Sequence, residues 1–266
     1  MYTDTHNHTC HYSPDAKQTI DELIGAAKAN NIDVVAVTEH YEYDNPDPDD
    51  NIQTFDIDAY VKDFKNWRAK CPADLTLLMG IEFGYQTHTA SVIDRIADEY
   101  PFDTVVLSNH LFRGVDLFYS KDAYKLPADL RHKEYMGVVA EMADKCNNYN
   151  VIAHYDYCSK YDSEENRIAY YSDCPKEFDA LFETIIAKEK ALEINSATSI
   201  RRGLMPDPEV LKRYVAMGGK LVTFASDAHV SENLGRRKED FVEFAKACGI
   251  KEGCYFKGKQ VFTYGL

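Results

Sequence analysis

The sequence predicts an α/β fold, a single domain over residues 1–266 built as a TIM-barrel-like ring of seven strand–helix units. Three observations lead there. Short β-branched apolar runs alternate with segments of helical spacing along the whole chain, the pattern of parallel strands joined by helical crossovers. The length, 266 residues, is close to the roughly 250 typical of one such barrel. The first strand-to-helix turn carries no Gly-x-Gly-x-x-Gly run, which weighs against a dinucleotide-binding sheet. Seven units fit a slightly irregular barrel better than an open doubly wound sheet, although alternation alone separates the two poorly.

Taken in order, the opening segment Met1–His11 reads as extended, and Asp4, His6 and His8 alternate within it, so their side chains share one face. Thr19–Asn30 has Ile20, Leu23, Ile24 and Ala27 at helical spacing, with Asp21 and Glu22 in its first turn. Asp33–Thr38 is a strand buried on both faces, ending at Glu39 and His40. The acidic, proline-containing stretch Tyr41–Asp56 reads as a surface loop. Helix Ile57–Cys71 follows, then strand Leu75–Ile81 running into Glu82, helix Ser91–Tyr100, and strand Asp103–Leu107 ending at Ser108-Asn109-His110. Loop Leu111–Ala128 leads to helix Arg131–Asn147 and to strand Asn150–Ala153, which ends at His154. Tyr155–Cys174 is expected to be a lid or loop; helix Lys176–Lys188 and strand Ala191–Ile194, ending at Asn195, come next. Helix Asp207–Met217 has Pro208 in its first turn. Strand Lys220–Ala225 ends at Ser226-Asp227-Ala228-His229, helix Arg236–Cys248 closes the series, and Gln260–Thr263 is a tail strand.

Composition narrows the function. Hydrophobic residues make up 45% and charged residues 28%, with a mean hydropathy of -0.45, as in a soluble globular protein. A basic leader followed by an apolar run is missing, as is any apolar stretch of about 18 residues, so a cytoplasmic protein without a membrane partner is expected. Seven cysteines, none spaced Cys-x-x-Cys, point to reduced structural thiols. The net charge of -14 excludes broad attraction to nucleic acid and suits cation binding. A phosphate substrate would need positive charge from metals or from a few arginines. Nothing in the sequence sets an oligomeric state.

The chemistry-bearing residues share one position. His6 and His8, Glu39 and His40, Glu82, His110, His154, Asn195, and Asp227 with His229 all stand at C-terminal ends of predicted strands, the face that carries the active site in parallel α/β folds. A lone histidine after a strand is ordinarily a hydrogen-bonded core or loop residue. A set of imidazoles and carboxylates larger than one ion can use suits zinc, iron or manganese in a multinuclear site.

The segments Asp4-Thr5-His6-Asn7-His8, Thr38-Glu39-His40, Gly80-Ile81-Glu82, Ser108-Asn109-His110, Ala153-His154-Tyr155-Asp156 and Ser226-Asp227-Ala228-His229 together resemble the motif series of the polymerase and histidinol phosphatase (PHP) superfamily, most closely its histidinol-phosphate phosphatases. Pro101-Phe102-Asp103 and Glu193-Ile194-Asn195-Ser196 also fit that branch. The resemblance implies a distorted (β/α)7 barrel with three divalent metal ions (Zn, Fe or Mn) at its C-terminal mouth. His6, His8, Glu82 and Asp227 would hold the first, and Glu82, His110 and His154 the second. His40, His229 and a residue after His8 would hold the third; Asp15 is preferred, with His11 as the alternative, and Glu39 would orient rather than bind. The implied activity is hydrolysis of a small phosphate monoester, L-histidinol phosphate of histidine biosynthesis, by a metal-bridging hydroxide. Arg201 resembles the phosphate-binding arginine, with Arg202 a close second, Arg113 a third, and Asn195 nearby. Asp15, His229 and Arg201 are the catalytic candidates. Tyr155, Tyr157 and Tyr161 are placed to line a substrate pocket, whereas His88 and His132 have no claim on the site. Two alternatives stay open: a phosphoesterase acting on another small phosphate or a nucleotide end, and a non-catalytic metal-binding module.

Overall fold

A computed structural model describes residues 1–119, 122–161, 169–196 and 206–266. Seven parallel strands stand in sequence order, β1 (Thr3–Asp4), β2 (Val34–Tyr41), β3 (Thr76–Gly84), β4 (Thr104–Ser108), β5 (Val151–Ile152), β6 (Ala191–Asn195) and β7 (Val222–Ala225). The ring closes where the chain after β1 meets the chain after β7. Thr5 N–H donates to Phe224 O, Asp227 N–H to His6 O and His8 N–H to Ala228 O, each at 3.0 Å. A (β/α)7 barrel is therefore the architecture, and the open doubly wound sheet is not.

The helices are α1 (Ile20–Ala29), α2 (Ile57–Lys70), α3 (Ala90–Glu99), α4 (Ala128–Lys145), α5 (Tyr157–Lys160), α6 (Pro175–Ala187), α7 (Pro208–Ala216) and α8 (Lys238–Ala247). Their starts follow local chemistry. Thr19 and Glu22 form a reciprocal capping box on α1, the Asp56 carboxylate accepts the Ala59 N–H of α2, and Pro175 and Pro208 open α6 and α7. None of the helices among the described residues is long and apolar enough to cross a membrane.

The floor of the barrel was not foreseen. The tail strand is half of a hairpin, β8 (Glu252–Lys257) and β9 (Gln260–Gly265), joined by Gly258 and Lys259, both at positive φ as a two-residue hairpin turn requires. Cys254 and Phe256 of β8 pack with Val106, Val151, Ala153 and Ala191, and Tyr255 packs against Val34, Ala36 and Leu78. The hairpin thus fills the N-terminal end of the barrel and leaves the C-terminal end for function.

Two expected loops are more ordered than their composition suggests. Tyr41 ends β2, and Glu42, Asp47 and Asp50 beyond it are buried. The Asp47 carboxylate accepts N–H groups from Asp49 and Asp116, and Asp50 accepts the Ile52 N–H, so backbone donors make up for the lost water. Within Leu111–Ala128, Leu111–Phe112 and Val115–Asp116 pair as a small hairpin with Arg113 and Gly114 at its tip.

Candidate metal centre

Every strand end delivers at least one polar side chain to the mouth of the barrel, and Glu82 from β3 stands at the middle. Its Oε2 lies 3.2 Å from His6 Nε2, 3.5 Å from His8 Nε2 and 2.7 Å from His40 Nδ1. Its Oε1 lies 2.9 Å from His154 Nε2 and 3.3 Å from His110 Nε2. Asp227 completes the first group, with Oδ1 3.3 Å from His8 Nε2 and 3.9 Å from His6 Nε2. Its backbone is left-handed, φ 52°, a conformation that aspartate tolerates better than most residues. A third group forms where His40 Nε2 lies 3.3 Å from His229 Nε2, and Asp15 Oδ2 lies 2.9 Å from His229 Nε2 and 3.5 Å from His40 Nε2.

These spacings test whether the residues suit metal ions. His6 Nε2, His8 Nε2, His40 Nδ1 and Glu82 Oε2 are buried, close together, and out of line for hydrogen bonds; none has a hydrogen-bond partner. Buried polar atoms of this kind are costly unless something else satisfies them. Four ligands at about 2.1 Å from a tetrahedral zinc stand roughly 3.4 Å from one another, and the His6, His8, Glu82 and Asp227 separations of 3.2 to 3.9 Å bracket that value. The donor set fits.

Electrostatics agrees. Burial alone would raise the Glu82 carboxyl, but His6, His40 and His110 outweigh it and hold Glu82 well below the usual carboxylate range. Burial would likewise lower His6, His40 and His110, yet the surrounding carboxylates push all three well above the ordinary imidazole value: Glu82 with Glu193 at His6, Asp15 with Glu82 at His40, and Glu82 with Glu42 at His110. His8 is lowered by burial and by its neighbours His40 and His229. The cluster therefore favours positive charge, which protons or divalent cations would supply.

Two carboxylates at this site were missed by the sequence reading. Glu193 Oε2 sits 2.8 Å from His6 Nδ1, and its Oε1 accepts from Asn195 Nδ2 at 2.7 Å and from the His154 N–H at 3.2 Å. Glu42 Oε1 sits 2.7 Å from His110 Nδ1. Both fix a ring so that its Nε2 faces the cluster, the outer-sphere arrangement common to metal-binding histidines. A charged residue in the middle of the buried run Ala191-Leu192-Glu193-Ile194-Asn195 was the available signal for Glu193. Glu39 accepts from Thr9 and Ser13, and Ser13 Oγ in turn accepts the His40 N–H, so Glu39 steadies the His40 segment without touching the ring. Burial raises the Glu39 carboxyl to about 7.

The remaining candidates divide. Asp15 reaches the cluster, whereas His11 is exposed beside the Trp67 ring. Asn195 is fully buried beneath it, on Glu193. The structure does not bring Arg113 in: the hairpin tip carries it outward to a bidentate pair with Glu134 of α4. Arg201 and Arg202 lie outside the described residues. His88 pairs with Asp44 at the surface, and His132 lies 3.0 Å from Asp173. Over the cluster opens a cavity of about 280 Å³ whose far wall includes Asp50, Asp116, Phe118, Tyr119, Tyr157 and Tyr161. Tyr155 instead packs beneath the rim on Phe178. Lys160, from the short α5, reaches the same cavity with Nζ 3.1 Å from Asp227 Oδ2.

Comparison with known proteins shows the family. A histidinol-phosphatase described as probable, from Clostridium acetobutylicum, is 31% identical over 256 residues, spanning 94% of this chain and 95% of that protein. The histidinol-phosphatase of Lactococcus lactis subsp. lactis is 23% identical over 273 residues, spanning 97% and 95%. The crystal structure of histidinol phosphate phosphatase from L. lactis subsp. lactis, complexed with zinc, L-histidinol and phosphate, superposes with a TM-score of 0.86 over 98% of both chains at 21% identity, a likeness of fold. The PHP domain model matches residues 4–197. The chain belongs to the PHP domain family.

Proposed function

We propose that the chain, acting as one unit over residues 1–266, hydrolyses L-histidinol phosphate to L-histidinol and phosphate with the help of divalent metal ions. The observation that carries this reading is the ring of buried, unpartnered donor atoms around Glu82 at ligand-like spacing, in a chain 31% identical to a relative described as a probable histidinol-phosphatase.

Three ions are the reading that the grouping of the donors supports, because the side chains around Glu82 fall into three sets. His6, His8, Glu82 and Asp227 would hold the first ion. Glu82, His110 and His154 would hold the second, and His40, His229 and Asp15 the third. Zinc, iron and manganese all accept such nitrogen and oxygen donors. Bound there, the ions supply Lewis acidity and bring the pKa of a coordinated water toward neutrality.

The chain's own residues do the rest. Glu193 and Glu42 set the ring orientations of His6 and His110. Asp15 and His229 are the most exposed members of the cluster, at 32% and 27%, which supports them as the groups to assist a leaving alkoxide. The far wall suits the alcohol: Asp50 and Asp116 offer negative charge to a cationic amine or imidazolium, and Phe118 and Tyr119 offer ring faces. The cavity's modest volume favours a small ester over a nucleic-acid strand.

The test is a substrate panel on purified protein. Phosphate release from L-histidinol phosphate should stop with a chelator and return with zinc, manganese or iron. Metal-replete protein that hydrolyses other phosphate esters or nucleotide ends in preference would shift the substrate. Metal-replete protein inert to every ester would leave a non-catalytic metal module.

A further inference from the structure

We infer that a second binding site, for a small organic anion with an apolar body, lies at the floor of the barrel, in the cavity bounded by the ends of α6 and α7 and by the β8–β9 hairpin. The inference does not depend on the phosphatase reading.

The cavity measures about 570 Å³, against about 280 Å³ over the metal cluster. Its charge is the reverse of the mouth's. In a chain of net charge -14, Lys188, Lys190, Lys220 and Lys259 line it, and Glu189 is the one carboxylate that does so among the described residues. Glu189 is exposed and forms no ion pair with the four lysines. Beside the cations, Ile185, Tyr214 and Phe256 supply a buried apolar wall. Positive charge next to apolar surface suits a ligand that is anionic at one end and apolar at the other.

The four lysines are not equivalent. An ammonium carries three donors. Lys188 Nζ spends its own on the carbonyls of Ala143, Asp144 and Cys146 at the end of α4, at 3.0, 2.6 and 2.9 Å. Lys259 Nζ donates to the carbonyls of Ala97 and Tyr100 at the end of α3. Lys190 Nζ instead stands 5.0 Å from the centroid of the Tyr149 ring, and among the described residues neither it nor Lys220 Nζ has a hydrogen bond or an ion pair. Burial, and after it the charge of Lys188, lowers the Lys190 ammonium against weaker pulls from Asp94 and Glu189.

Topology sets these two side by side. Leu192 of β6 pairs with Val222 of β7, and Lys190 and Lys220 each precede that pair by two residues. Like charges at neighbouring strand positions repel. An anionic group between them would remove the repulsion and accept from both ammoniums, while its apolar body rested on Tyr214 and Phe256.

The probe is anilinonaphthalene sulfonate, an anion on a ring body, titrated by fluorescence into metal-loaded protein. One saturable site per chain is expected. Lys190→Gln and Lys220→Gln should each weaken it about 10-fold, the loss of one charge-assisted hydrogen bond. Lys65→Gln, at an exposed position of α2 outside the cavity, should leave it unchanged. Phenylnaphthylamine, the same rings without the sulfonate, should bind at least 10-fold more weakly than the dye. Unsaturable binding, equal affinity in wild type and the two cavity variants, or equal affinity for the neutral analogue overturns the inference. Far-ultraviolet circular dichroism reports folding. Should Lys190→Gln not fold, Lys220→Gln, changed at an exposed side chain, decides alone.

Discussion

Replacing Glu193 by glutamine isolates the contribution of a residue that touches no metal position. The glutamate Oε1 accepts two donors, Asn195 Nδ2 and the His154 N–H, while Oε2 takes His6 Nδ1 at 2.8 Å. Glutamine has nearly the same shape but only one acceptor oxygen. If that oxygen stays with Asn195 and His154, the amide NH2 confronts the Nδ1 proton of His6. Relief requires moving that proton to Nε2, the atom that faces Glu82 and Asp227. If the amide flips instead, the Asn195 and His154 donors lose their acceptor. Either route leaves a buried polar group unsatisfied, at about 1–3 kcal/mol, or roughly 10- to 100-fold in metal affinity. Titrating zinc in competition with a chromophoric chelator measures this directly, with far-ultraviolet circular dichroism to show that the barrel is intact. An affinity within twofold of wild type in a folded Glu193→Gln protein would refute the assignment of His6 Nε2 as a ligand steered by Glu193.

Two further changes probe the frame around the site. A Cβ at Gly84 would come within about 2 Å of the Glu42 carboxyl group, so Gly84→Ala should destabilise the protein by about 1–3 kcal/mol in urea unfolding and displace Glu42 from His110, weakening the second metal site in the same chelator titration. Burial raises the Asp4 carboxyl to about 6, against hydrogen bonds from Ser226, Gly235 and Asn7 that oppose the shift. A carboxyl raised on folding contributes stability at low pH that fades as pH climbs through the folded value. In metal-free protein the unfolding free energy of wild type relative to Asp4→Asn should therefore fall by about 1 kcal/mol between pH 5 and 6 and flatten above 7; a flat difference across that range would contradict it.

What the sequence disclosed followed from position. The β-branched runs at Asp33–Thr38 and Asp103–Leu107 are strands, and the polar residues closing each run lie at one end of the barrel because parallel strands all finish there. Glu42 and Lys160 were not legible for the opposite reason. They sit in segments that read as acidic or tyrosine-rich loops, and only the folding back of those segments over the mouth turns them inward. Arg113 failed as a phosphate ligand because a two-residue hairpin turn, invisible in the apolar pattern, sends its side chain outward to Glu134. The floor hairpin escaped for lack of a clear strand signal in Glu252-Gly253-Cys254-Tyr255-Phe256-Lys257, whose buried and exposed positions do not alternate strictly. Asp15 and His11 could not be separated by spacing alone; the three-dimensional course of the loop brings Asp15 to His229 and leaves His11 beside Trp67.

The meeting of the chain's two ends has a consequence for assembly. Strand β1 is only two residues long, and the bonds joining Thr5, His6 and His8 to Phe224, Asp227 and Ala228 connect positions more than two hundred residues apart. The first metal position straddles that same join, with His6 and His8 on one side and Asp227 on the other. An ion held there would act as a clasp on that seam. Because such distant contacts are slow to establish, the clasp would have nothing to grip until the two sides meet, and once fastened it would stabilise the closed state by mass action. Metal supply would then bear on whether the ring stays shut as well as on whether the mouth is active.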